Sequence, residues 1–322
     1  LKYTHMSALD KFKRSTKLVA DTCEFGLIKR FGAVDATTNP SLVLKAAKMP
    51  QYQGLIDEVV GEQQGTTDEQ VLRACEMLVI RFGVELLKVV EGRVSTEVDA
   101  RLAFDVDAQV VAARRIIALY AARGVQKSRV LIKLPSTWEG IRAAAILQNI
   151  PDPINCNLTL VFSPVQAQAC AEANAKLISP FVGRISDWYA NNQPHMVGVG
   201  NDDPGVKNVC KIVGLYRRMN QKCEIMGASF RNIDQILALV GLDLLTISPE
   251  LMKELEGLDP ARVHNTLDQF VPNDVTVLDQ PINEGAFRWH MNEDQMASDK
   301  LSEGIRKFAE DARKLEDLIR SK

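Results

Sequence analysis

Short apolar or alternating runs recur along this chain, each followed by a stretch with helical spacing. Eight runs read as strands: 17–22, 34–39, 93–99, 130–136, 155–161, 177–183, 224–230 and 244–248. Between them, residues 71–89 place Val71, Cys75, Leu78 and Phe82 on one stripe, which is the period of an amphipathic helix. The run 105–123 opens at Asp105, an N-cap type, and stops before Gly124, a residue suited to the position after a helix. A cap residue followed by proline recurs at Asn39-Pro40, Ser163-Pro164, Asp203-Pro204 and Ser248-Pro249. Proline in the first helical turn forfeits no hydrogen bond, and the preceding side chain can accept from a free amide. Repeated β-then-α units imply a parallel sheet with right-handed crossovers. Eight of them predict an α/β fold in which 1–322 form one closed (β/α)₈ barrel domain. A doubly wound sheet is the rival, but no G-x-G-x-x-G turn and no P-loop accompanies an early strand. The long link between the second and third strands is expected to hold more than one helix. Residues 295–320 read as a long amphipathic helix packed over the barrel.

Alternation sorts each strand into two faces. In the fifth, Asn155, Asn157, Thr159 and Val161 oppose Cys156, Leu158, Leu160 and Phe162. The third sets Ser95, Glu97 and Asp99 against Val94, Thr96 and Val98, and the second aligns Asp35, Thr37 and Asn39. The first strand carries Asp21, and Lys133 interrupts the apolar run Val130-Leu131-Ile132-Lys133-Leu134. The apolar faces suit a helix layer, so the polar faces point into the barrel. Barrel interiors are normally filled with branched apolar residues, and an unpaired buried polar group costs about 1–3 kcal/mol. Asp21, Asn39, Glu97, Lys133, Asn157 and Thr159 together exceed what a plain core tolerates. They predict a wet pocket at the carboxyl ends of the strands. A lysine in a sheet core is either paired or chemically used. Burial disfavours the ammonium, and the neutral amine is the form that attacks a carbonyl.

Composition narrows the field. The chain has 322 residues, 46% hydrophobic and 25% charged, an ordinary globular balance. A net charge of −2 shows no electrostatic attraction to nucleic acid or anionic membrane. Cys23, Cys75, Cys156, Cys170, Cys210 and Cys223 lack C-x-x-C spacing, which favours reduced thiols in a cytoplasmic protein. The histidines, residues 5, 195, 264 and 290, have no metal-ligand spacing, so no metal is expected; His195 is expected to be solvated. Trp138, Trp188 and Trp289 read as packing residues. No run approaches the ~18 apolar residues of a membrane helix. Residues 1–5, ahead of Met6, read as an extraneous extension.

Two arginines follow late strands, Arg184 after the sixth and Arg231 after Ser229 at the end of the seventh. Guanidinium forks match phosphate oxygens, and late-strand loops are the usual phosphate region of such barrels. Surface salt bridges are the plainer reading of either arginine alone.

Several blocks resemble transaldolases. They are Ala36-Thr37-Thr38-Asn39-Pro40-Ser41-Leu42, Arg93-Val94-Ser95-Thr96-Glu97-Val98-Asp99-Ala100-Arg101 and Ile132-Lys133-Leu134. Ile154-Asn155-Cys156-Asn157-Leu158-Thr159-Leu160, Ile178-Ser179-Pro180-Phe181-Val182-Gly183-Arg184 and Gly227-Ala228-Ser229-Phe230-Arg231-Asn232 complete the set. The resemblance runs from about residue 17 to the end of the chain. It implies a cofactor-free, Schiff-base barrel enzyme of the pentose phosphate pathway, often a homodimer. Such an enzyme moves a dihydroxyacetone unit from sedoheptulose 7-phosphate to glyceraldehyde 3-phosphate. It also implies roles: Lys133 for the Schiff base, Asp21 for the proton of the carbon-4 hydroxyl, and Glu97 with Thr159 and a water for carbinolamine proton transfers. By the same resemblance Asn39 and Asn157 hold substrate hydroxyls or the lysine, Thr37, Ser179 and Phe181 line the site, and Arg184, Arg231 and Ser229 grip the phosphate. Pro135 departs from the family's usual alanine, with small effects expected on loop geometry. The nearest rival is a fructose 6-phosphate aldolase, which differs from this chain at Glu97 and Phe181. A catalytically silent sugar-phosphate binder is the rival from another class.

Overall fold

The computed structural model describes residues 6–62, 67–267, 271–272 and 275–322. Residues 1–5, with the extension proposed there, lie outside the described residues, as does part of the segment 258–282. Eight parallel strands close into a barrel in chain order. They are β1 (Lys17–Ala20), β2 (Asp35–Thr37), β3 (Val94–Glu97), β4 (Val130–Pro135), β5 (Cys156–Val161), β6 (Leu177–Pro180), β7 (Glu224–Gly227) and β8 (Leu244–Ile247). Every expected strand is present, but most are shorter at their carboxyl ends than the apolar pattern suggests. Polar residues are prominent among the lost positions, Asp21, Asn39, Asp99, Ser229 and Ser248 with them. Asn39 caps the helix Pro40–Ala47, and Asp99 caps a short 3₁₀ turn. At the barrel mouth these side chains take the backbone out of the ladder.

The four cap-proline junctions behave as expected. The side chains of Asn39, Ser163, Asp203 and Ser248 accept from Leu42, Gln166, Gly205 with Val206, and Leu251 respectively. Each such cap stabilises its helix by about 1 kcal/mol. Asp105 caps the helix Val106–Ala121, and Gly124 takes a positive φ of 77° just beyond it. The link from β2 to β3 holds the helices Pro40–Ala47, Gln53–Glu62 and Asp68–Leu87. The C-terminal helix, Gln295–Arg320, runs over the barrel and touches β5 as well as the helices Pro40–Ala47, Asp68–Leu87 and Gly183–Asn192. Trp138 packs on Phe287 and Trp188 on Tyr189, but Trp289 is 61% exposed and is no packing residue. On its short helix it faces away from the barrel, a rotation that one aromatic position does not encode.

The interior is layered. Val19, Leu131, Leu177, Met226 and Leu244 form a separate apolar cluster inside the barrel, one residue from each of five strands. The larger core lies between strands and helices. Below the inner cluster, Arg93 donates to Asp35 Oδ2 at 2.9–3.0 Å and to Glu224 Oε2 at 2.7 Å, tying β2, β3 and β7 together. Burial raises the Glu224 carboxyl, but Arg93, Lys176 and Lys17 outweigh it and hold the group below its ordinary range. Above the cluster the inward positions turn polar: Thr37, Ser95, Asn157, Ser179 and Thr246. The β5 alternation holds through Thr159 and then breaks. Leu160 has φ 57°, and the pairing with β6 slips between Leu158 and Val161, so Val161 leaves the expected face.

Removing the Arg93 guanidinium takes the side-chain cation from Asp35 and leaves Glu224 only the more distant Lys17 and Lys176. Arg93→Ala is expected to lower unfolding free energy by about 2–4 kcal/mol, between surface-pair and fully buried-pair values. A denaturant midpoint equal to the parent's would show that the cluster carries no stability.

Candidate functional site

Register brings the key groups together. Glu97 pairs with Lys133 across β3 and β4, and Lys133 pairs with Asn157 across β4 and β5. Neighbouring strands lie about 4.8 Å apart, so inward side chains at one level come into contact. Lys133 Nζ sits 3.0 Å from Glu97 Oε2, with both side chains at most 5% exposed. The amine also donates to the carbonyl of Thr38 at 3.4 Å. Burial pushes the Glu97 carboxyl above its ordinary range, against the pull of Lys133 and Arg184.

Asp21 stands at the end of β1 and opens onto a cavity of about 240 Å³. The Thr37 hydroxyl donates to its Oδ1 at 3.1 Å and lies 2.9 Å from the Thr246 hydroxyl. Burial again raises the carboxyl, opposed by Lys133, Thr37 and Arg184. Two carboxyl groups raised by burial thus flank one amine. Groups so placed can exchange protons with it and with a bound substrate.

Of the residues named from the sequence, Asp21, Thr37, Asn39, Lys133, Thr159, Ser179, Phe181, Arg184, Ser229 and Arg231 line this cavity. Glu97 is not in that lining; its carboxylate is turned to the Lys133 amine. Asn157 is not in the lining either. Its amide donates to Ser95 Oγ at 3.0 Å and its Oδ1 accepts from Ser179 Oγ at 2.6 Å, so it braces β3 against β6 beneath the cavity. Asn39 spends its oxygen on the Leu42 amide and leaves its amide nitrogen for a ligand. The Thr159 hydroxyl is buried and finds no partner among the described residues. An orphaned hydroxyl in a cavity wall marks a place for a water or a ligand.

The two arginines differ. Arg231 reaches Asp187 Oδ2 at 2.7 Å and is partly exposed. It also donates to the carbonyl and hydroxyl of Ser229 at 3.3 Å. Arg184 is deeply set, has a buried Nη1 without a partner, and pairs with no carboxylate among the described residues. Burial, then the nearby Arg231, pushes its guanidinium below the usual arginine range. Arg184 thus stands near a second guanidinium and keeps a buried N–H donor unused. An anion is the natural occupant. Gly183 makes room for this corner: a Cβ there would lie 2.3 Å from the Ser229 carbonyl oxygen. Ser229 itself has φ 62° and Leu160 φ 57°, so two non-glycine residues with left-handed backbone adjoin the cavity. Such conformations cost about 1–3 kcal/mol and cluster at functional sites.

Sequence reasoning missed Thr246, Ser248, Met226, Phe230 and Phe308, all of which line the cavity. Alternation along β8 could have placed Thr246 and Ser248, which share the inward face of Leu244. Phe308 comes from the C-terminal helix, and only its apolar stripe was visible. Among the described residues no cluster of three or more metal-type side chains occurs.

The family model described as transaldolase/fructose-6-phosphate aldolase matches residues 18–319. Transaldolase A of Escherichia coli strain K12 is 51% identical over 98% of this chain and all of its own length. A probable transaldolase of Drosophila melanogaster is 50% identical over the whole chain and 97% of its own. The transaldolase of Rattus norvegicus is 51% identical over 97% of the chain and 93% of its own.

Carbon-13 carboxyl titration tests the electrostatics. Asp21 and Glu97 are expected to titrate above the ordinary values of about 3.9 and 4.3. Lys133→Met, which removes the cation that holds both down, should raise them further. Midpoints at or below the ordinary values would refute the burial argument.

Proposed function

The chain belongs to the transaldolase/fructose-6-phosphate aldolase family and is a transferase, and from that premise we propose that it transfers a dihydroxyacetone unit through a Schiff base on Lys133. The donor is sedoheptulose 7-phosphate and the acceptor glyceraldehyde 3-phosphate, giving erythrose 4-phosphate and fructose 6-phosphate in the pentose phosphate pathway. The observation that carries the reading is the buried Lys133 amine, 3.0 Å from Glu97, in a cavity that also holds Asp21 and an unpaired Arg184.

In this mechanism the Lys133 amine adds to the donor's ketone once its proton has passed to Glu97. Glu97 then returns a proton to the carbinolamine hydroxyl, with a water held at Thr159, and water leaves to give the iminium. Asp21 takes the proton of the carbon-4 hydroxyl, the bond between carbons 3 and 4 breaks, and the iminium receives the electron pair as an enamine. The first aldose departs, the second enters, and the same steps run in reverse. Arg184, with Arg231 and Ser229, holds the phosphate far from the reacting carbons, and such anchoring fixes orientation. Asn39 holds a sugar hydroxyl, and Thr37, Ser179 and Phe181 line the same site. The same reading carries a cytoplasmic location and a homodimer. Among the described residues no helix is long and apolar enough to cross a membrane.

Incubation with fructose 6-phosphate and borohydride, followed by mass spectrometry, tests the covalent step. A reduced dihydroxyacetone adduct is expected on the parent and not on Lys133→Met. Adding an aldose phosphate before the reductant should drain the adduct; release of free dihydroxyacetone without an acceptor would favour a plain aldolase, and no adduct at all a silent binder. The pH profile is a second test. Asp21 must be ionised to accept its proton, and its folded value is raised, so activity is lost as pH falls through that raised value. The acid limb of kcat/KM should lie above about 3.9. A limb at or below it would remove Asp21 from that role.

A further inference from the structure

Phe308 is almost fully buried and projects from the C-terminal helix into the cavity wall. Its ring centroid lies 5.4 Å from the Arg184 guanidinium carbon and 5.6 Å from Lys133 Nζ. Phe181 approaches the same guanidinium at 5.0 Å and is itself packed edge-on against Phe162 at 5.6 Å. A chain of contacts thus runs Phe162, Phe181, Arg184, Phe308, Lys133 across the mouth of the barrel.

We propose that Phe308 is a positioning residue: its ring, with that of Phe181, holds Arg184 in place without neutralising it, and sets the Lys133 amine at the same time. The argument rests on what the alternatives would cost. A carboxylate partner would hold the guanidinium as well, but it would cancel the positive charge and occupy N–H donors that an anion needs. An aromatic face attracts a cation through its quadrupole and accepts none of the in-plane N–H groups. Arg184 matches that account, since its Nη1 is buried without a partner. The approach depends on Gly304, one turn earlier on the same helix. A Cβ at that position would lie 2.7 Å from Leu160 Cδ2 and 3.3 Å from Arg184 Nη1. The helix is fixed along its length by other polar contacts: Asp299 accepts from the Trp188 indole at 2.8 Å, Asp311 from the Ser41 hydroxyl, and Glu316 from Arg101 at 2.5 Å. The C-terminal helix is therefore a wall of the site and sets the geometry of two of its cations.

The proposal rests on the phosphate reading given above, and one assay separates the two. The quantity measured is the ratio of kcat/KM for glyceraldehyde 3-phosphate to that for unphosphorylated glyceraldehyde, with fructose 6-phosphate as donor. Phe308→Leu and Phe308→Met keep an apolar filler and lose the π face, whereas Phe308→Tyr keeps it. Leu and Met are expected to lower the ratio about tenfold, mainly through KM for the phosphorylated acceptor, with Tyr near the parent. Gly304→Ala, which pushes the helix off Leu160, should lower it in the same direction. Thermal melts confirm that each variant compared is folded. Folded Leu and Met variants that keep the parent ratio, equal losses on both acceptors included, would overturn the hold on Arg184, and an unchanged kcat on unphosphorylated glyceraldehyde would overturn the hold on Lys133. A parent enzyme that does not distinguish the two acceptors would instead overturn the phosphate reading.

Discussion

Everything in the upper half of the barrel depends on one ion pair that the sheet register fixes. Glu97 and Lys133 stand at paired positions on β3 and β4, so neither can move without disturbing the ladder. Two charges taken from water at this depth lose hydration worth several kcal/mol each, and only close pairing recovers it. The pair accordingly dictates its neighbours. The Thr38 carbonyl turns toward the amine, and Asn157 sits beside it at the same level with both of its polar ends engaged. Nothing in that layer is left to rotamer choice, which is what a site needs if proton transfers are to occur over fixed distances.

The polarity of the interior is graded along the barrel axis. A charge cluster around Arg93 closes one end, an apolar layer from five strands lies above it, and hydroxyl and amide groups lead up to the amine and carboxyls. The apolar layer separates two sets of charges that would otherwise compete for partners. It also keeps water from reaching the lysine from below, which strengthens every electrostatic interaction in the cavity.

The fold was readable from the sequence because each signal was local and repeated. Alternation put Asp35, Thr37 and Asn39 on one face, and the structure keeps them there. Cap-proline pairs marked four helix starts, and all four are caps. Most of the site was readable for the same reason: an inward polar residue at a strand's carboxyl end has few other places to go. What escaped was non-local. Asn157 was recognised as inward, but its use as a brace depends on Ser95 and Ser179 from other strands. Leu160 broke the alternation through a backbone conformation that no side-chain pattern announces. Arg231 looked equivalent to Arg184 until Asp187 was seen to claim it. Phe308 lies far along the chain on a helix whose period reveals an apolar stripe but not which residue on it reaches the cavity.

The sealed lower end has a consequence for traffic. With an apolar plug and an ionic latch beneath it, and a helix laid across part of the top, the chamber is closed from below among the described residues. A molecule that enters from above must also leave upward. Two partners that share such a chamber have to take turns, the first fragment vacating before the second can be admitted. The order of events in any exchange carried out here is therefore imposed by architecture, before any question of affinity arises.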